Sequence, residues 1–192
     1  MQQRMAFLAT AVAVLWPVSV PAQPACAPAP GTRFVQVAEM GAWERSRIAS
    51  LSAVGPARLY LGGCGMDCVE GITQPRPAYD AAIKASDAAL TLVLSADGAE
   101  RGTLTFAWPD SHTWFGADTD LGDDLAEGFY TELRMAATVT GSGDFTHDGP
   151  ARAELVLSGF GDMCITRRSF SGWSLTVTDE GAHYRLFGGL KP

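Results

Sequence analysis

Along the second half of the chain, hydrophobic and polar positions alternate with a period of two. The run LTLVLSADG from Leu90 and the run AERGTLTFAW that follows it place apolar side chains at every other position on both sides of Asp97-Gly98. Such alternation about a Gly-containing turn predicts a β-hairpin. From Phe129, the residues Thr131, Leu133 and Met135 interleave with Tyr130, Glu132 and Arg134, which buries one face of a strand and wets the other. ARAELVLSGFG from Ala151 repeats the pattern. At the C-terminal end, Trp173, Leu175 and Val177 share a face, Asp179-Glu180-Gly181 turns, and Tyr184 to Phe187 returns as a second hairpin. TRFVQV and ARLYLGG, nearer the start, add two shorter strand candidates.

Two segments read differently. Residues 78–90 are Ala-rich, with Tyr79, Ile83 and Ser86/Leu90 on one helical face and Pro77 in front, so a helix is expected there; residues 41–51 are a weaker helix candidate. Neither helix alternates regularly with strands. The pattern predicts a mainly β fold, an antiparallel sandwich or small barrel with one or two short helices, and not a parallel α/β sheet.

The N-terminus changes the setting of this domain. Arg4 precedes an uncharged apolar stretch from Met5 to Trp16, and Val20-Pro21-Ala22 ends it with small residues, as in a secretory signal cleaved after Ala22. The stretch is punctuated by Pro17 and Pro21, and it falls short of the roughly 20 apolar residues of a membrane-spanning helix. The expected organisation is therefore a signal peptide over residues 1–22, a Pro/Ala-rich segment over 23–32 and a single β-rich domain over 33–192. Cleavage leaves 13 basic against 21 acidic side chains, a net charge of −8. An acidic surface of this kind repels phosphate backbones and anionic headgroups, so nucleic acid is not an expected partner. The chain has no Asn and only two Lys, a bias of GC-rich coding that, with the signal, points to a bacterial periplasmic or secreted protein.

Export decides how the cysteines are read. Cys26, Cys64, Cys68 and Cys164 form an even set in an oxidising compartment, where disulfides are the expected state, and four cysteines allow three connectivities. The alternative is copper. In LGGCGMDCVEG the Cys64-x3-Cys68 pair brackets Met66, and Met163 precedes Cys164, so five soft donors suited to Cu(I) are available. The spacing resembles that of periplasmic copper-delivery proteins of thioredoxin type. The likeness ends there, with no Pro beside either cysteine and no βαβ order.

Residues 108–128 are the most unusual connection. They combine Trp108, Trp114 and Phe115 with Asp118, Asp120, Asp123, Asp124 and Glu127. Trp108, Trp114, Asp118, Asp120 and Asp123 are the candidate ligand-contacting residues, since pockets combine aromatic walls with a few placed polar groups. The acids depart from the EF-hand pattern: counted from Asp118, Phe129 stands at position twelve and Asp123 at position six. Trp43 and Trp173 are expected in the core, and His112, His147 and His183 at the surface or in turns. No Gly-x-Ser-x-Gly elbow occurs. These features favour a non-catalytic binding or structural module of the envelope, with an unknown ligand or envelope partner and no cofactor. Copper or thiol handling by the Cys64/Cys68 loop, and a hydrolase with an unseen site, are the alternatives.

Overall fold

The computed structural model describes residues 31–61, 63, 65–118, 129–161 and 170–191. The expected signal segment, nearly all of the Pro/Ala-rich stretch, and Cys26, Cys64 and Cys164 lie outside the described residues. Among the described residues, ten strands and one α-helix follow in the order β1 (Arg33–Glu39), α1 (Ala42–Ala49), β2 (Ser52–Leu59), β3 (Ala78–Ala85), β4 (Ala89–Ala96), β5 (Ala99–Ala107), β6 (Ser111–Asp118), β7 (Phe129–Gly141), β8 (Ala151–Gly161), β9 (Gly172–Asp179) and β10 (Ala182–Lys191). Two short 3₁₀ turns, Gly65–Cys68 and Gly143–Phe145, interrupt the connections.

All strand pairs are antiparallel, and eight strands close into a barrel in the order β2-β3-β4-β5-β7-β8-β9-β10, with β10 returning to β2. Of the two expected architectures, the small barrel is therefore the one that forms. β5 and β6 lie end to end along β7: β5 pairs with its residues from Val139 to Gly141, and β6 with those from Phe129 to Arg134. β6 thus leaves the ring and carries β1 on its far side as a two-strand extension.

A barrel of eight strands has an interior that side chains can just fill. Leu92, Leu94, Leu104, Phe106, Leu133, Met135, Leu155, Leu175, Val177 and Leu186 point inward and are buried. The two ends are closed by different devices. At one end α1 inserts Ile48 among Ile83, Leu90, Leu92, Leu157, Trp173 and Leu190. At the other, Phe145 packs its ring against Tyr79 and Tyr184 at centroid distances of 5.3 and 6.2 Å. Gly141 makes the Phe145 turn feasible, because a Cβ there would overlap the Phe145 carbonyl oxygen.

The two alternating strands from Phe129 and Ala151, together with the two hairpins, form as expected. Asp97 and Gly98 occupy the central positions of the β4–β5 turn with φ of 55° and 76°, the type I′ geometry that suits Asp-Gly. The helix expected over residues 78–90 is not formed. That stretch is β3, a turn, and the start of β4. Tyr79, Ala81 and Ile83 also fit a period of two, and pairing with β2 on one side and β4 on the other overrides the helical preference of Ala. Ser86 closes the turn, its Oγ accepting the Ala88 and Ala89 amides at 3.3 and 3.2 Å. The weaker candidate at 41–51 is the one that becomes a helix. Trp43, expected in the core, is 46% exposed on it, with the Arg47 guanidinium 5.5 Å from its ring.

Because both plugs are single buried side chains, truncation should open a cavity at one barrel end. Phe145→Ala is expected to lower stability by about 3–5 kcal/mol and Ile48→Ala by about 2–5 kcal/mol. Gly141→Ala should cost roughly 1–3 kcal/mol through overpacking. Urea unfolding followed by Trp fluorescence measures all three, and wild-type midpoints for both truncations would refute the two-plug account.

Candidate functional site

The sulfur-bearing loop between β2 and β3 is fastened to β10 at both of its feet. The Tyr60 amide donates to the Arg185 carbonyl at 2.8 Å, and Glu70 and His183 exchange two backbone hydrogen bonds of 3.2 and 3.0 Å. Gly71 permits the second foot to sit down, because a Cβ there would lie 2.8 Å from the Ala182 Cα. Between these anchors the Gly65–Cys68 turn faces β9 and β10 as an arch, with Met66 and Val69 packed against the core.

Under the arch lies an open groove of about 600 Å3 whose walls include Tyr60, Asp67, Cys68, Glu70, His183 and Arg185. Its floor is rigid. Tyr184 points the other way, into the barrel, where burial pushes its phenol pKa up. Arg185 is held by a hydrogen bond from Nη2 to Ser174 Oγ at 3.2 Å. The groove thus brings two carboxylates, a guanidinium, an imidazole and a phenol to one face. Among the described residues no group of three or more His, Cys, Asp or Glu side chains is placed to share a metal ion.

Cys68 is disulfide-bonded. Its sister cysteines are outside the described residues, among which no complete bridge is present. Met66 packs against the hydrophobic core, which engages its thioether in packing.

The aromatic and acidic stretch at 108–128 is placed differently from a loop. Residues 111–118 are β6, and residues 119–128, with Asp120 and Asp123, are outside the described residues. Trp114 is buried and stacks on Phe170 at 5.9 Å. Trp108 is half-buried and spends its indole N–H on the Ser86 carbonyl at 2.9 Å. Asp118 accepts the Gly31 amide at 2.7 Å and so fixes the entry into β1. The groove residues Tyr60, Glu70, His183 and Arg185 are scattered over the sequence in ordinary strand-end contexts, and only Cys68 and Met66 marked the region.

The chain matches no family model, no curated protein and no solved structure. Site geometry alone therefore bears on function.

One titratable group departs from its expected place. His112, expected at the surface or in a turn, is 2% exposed on the inward face of β6, edge-on to Trp114 at 5.8 Å. Neither ring nitrogen has a hydrogen-bond partner among the described residues. Burial lowers its pKa below the usual 6.5, with the Glu44 carboxylate working in the opposite direction. A depressed histidine pKa means that the unfolded chain binds the proton more readily than the folded one. The His112 contribution to stability is therefore present above about pH 6.5 and is lost as the pH falls through that value toward the folded pKa. Melting temperatures taken between pH 7.5 and 5 should decline for the wild type and decline less for His112→Phe. Equal slopes would show that His112 does not carry this dependence.

Proposed function

We propose that the chain is an exported, disulfide-stapled β-barrel module of the bacterial envelope that binds a small polar ligand on its outside and does no chemistry on it. The observation that carries this reading is the combination of a barrel whose described interior is filled by side chains with an open groove on its outer sheet surface. Up-and-down barrels that hold ligands within need an interior wider than their side chains. Here Phe145 and α1 close both ends, so recognition falls to the arch. Asp67 and Glu70 stand on the arch while Arg185 and His183 stand on β10, an arrangement that suits a ligand carrying both signs of charge. Copper or thiol handling draws less support, because Met66 is committed to packing and Cys68 to a disulfide.

Stapling has a thermodynamic consequence. Loss of a native bridge from a small secreted domain costs about 2–5 kcal/mol. The chain should appear in the periplasmic or culture fraction without residues 1–22, with a non-reduced mass two hydrogens lower per bridge, and reductant should lower its melting temperature. A cytosolic, unprocessed and fully alkylatable chain would overturn the export reading. For the groove, titration with amino acids and dipeptides as zwitterionic probes should shift amide resonances at Tyr60, Glu70, His183 and Arg185. Arg185→Ala should weaken that binding by about tenfold, the worth of one charge-assisted hydrogen bond. Shifts confined to other surfaces would remove the groove from consideration.

A further inference from the structure

The extension formed by β1 and β6 ends in a strand edge. Among the described residues, β1 pairs with β6 alone, in the register Arg33↔Ala117 to Glu39↔Ser111. The Asp118 amide bonds the Thr32 carbonyl at 2.8 Å and the Met40 amide bonds the Asp110 carbonyl at 2.9 Å. These bonds set the parity of the ladder. Even-numbered residues of β1 turn their N–H and C=O toward β6, and Arg33, Val35, Val37 and Glu39 turn theirs to the free edge.

Edges are ordinarily blunted by Pro, by Lys, by inward charges or by bulges. β1 has none of these in its centre. Val35 and Val37 are 70% and 69% exposed, more than any other large hydrophobic side chain described. The strand is also self-complementary. Turned through a two-fold axis at Gln36 and laid antiparallel to itself, it sets Arg33 opposite Glu39 and Val35 opposite Val37, twice over. These are the four residues whose backbone groups face outward, so the register that pairs opposite charges is also one that satisfies the hydrogen-bond parity. Shifting by two residues sets Arg33 against Val37, or Val35 against Glu39, and loses both charge pairs.

We infer that β1 is the interface for a second copy of this chain, joining two molecules into one continuous sheet through an isologous antiparallel β1–β1 pairing centred on Gln36. The contact is a single strand pair, small beside the 1,200–2,000 Å2 or so of a standard interface, so association falls in the micromolar to millimolar range. Its occupant is independent of the groove under the arch.

Charge reversal tests both the partner and the register. Sedimentation equilibrium of the natively processed chain should show a reversible monomer–dimer equilibrium. Arg33→Glu places Glu opposite Glu39 in both halves of the pair, and Glu39→Arg places Arg opposite Arg33. Each variant alone should dimerise at least about tenfold more weakly, since cross-strand charge pairs change from attractive to repulsive. An equimolar mixture of the two variants should recover dimerisation as a heterodimer, which alone restores two attractive pairs. Gln36→Cys should form an intermolecular disulfide, because facing residues of a non-hydrogen-bonded pair bring their Cα atoms to about 4.5 Å. Far-UV circular dichroism and melting of each variant should match the wild type, as expected for surface substitutions. A wild type that stays monomeric at millimolar concentration, undiminished dimers in both charge variants, a mixture that fails to recover, or a Gln36→Cys chain that does not crosslink would each overturn the proposal.

Discussion

Closure of the sheet on itself is the constraint from which the other features follow. Once β10 pairs with β2 and β7 pairs with both β5 and β8, each of the eight ring strands has a hydrogen-bonded neighbour strand on either side, and the ring has a fixed circumference. An eight-strand ring encloses a space that side chains fill. The alternating Leu, Phe, Val and Trp positions of β4, β5, β7, β8 and β9 therefore form one continuous core, and the open ends become the problem to be solved. Ile48 and Phe145 solve it, each brought inward by a short helical turn.

A filled interior has a consequence for recognition. The described interior is taken up by side chains, which leaves the loops and the outer faces as the surfaces open to contact. The arch over β10 is held by its two feet, which are hydrogen-bonded to the same strand at His183 and Arg185. The β1–β6 extension has the opposite origin: β7 is longer than β5, and the unpaired part of its edge takes up β6 instead. Beside that extension Trp114 and Phe170 continue the barrel core, and His112 is buried next to Trp114. With neither ring nitrogen hydrogen-bonded among the described residues, this imidazole is a local weakness that grows on acidification, because the unfolded chain takes up the proton more readily.

The strands were legible wherever burial on one face and solvent on the other imposed a period of two, and the β4–β5 turn was legible because Asp-Gly accepts positive φ at both positions. β3 was not legible. An Ala-rich run suits a helix in isolation, and only its partners on both sides make it a strand. Trp108, Trp114 and the acids beside them looked like one loop because side-chain type says nothing of ladder register; pairing of β6 with β7 places Trp114 inside and leaves Asp118 to hold the chain entry. His112 alternates in step with Trp114 and Gly116, a signal that the polar reputation of histidine conceals.

By itself, the sequence determined that the domain is built of antiparallel strands with apolar residues on one face, because that pattern depends only on which side chains leave water. It also determined which sulfurs are available for crosslinking. Whether those strands stack as two layers or close into a ring, which short segments plug the ends, and which distant residues share the groove were decided only in the tertiary structure. These depend on pairings between positions far apart in the chain, and hydrogen bonds between backbones carry no imprint in the residues that make them.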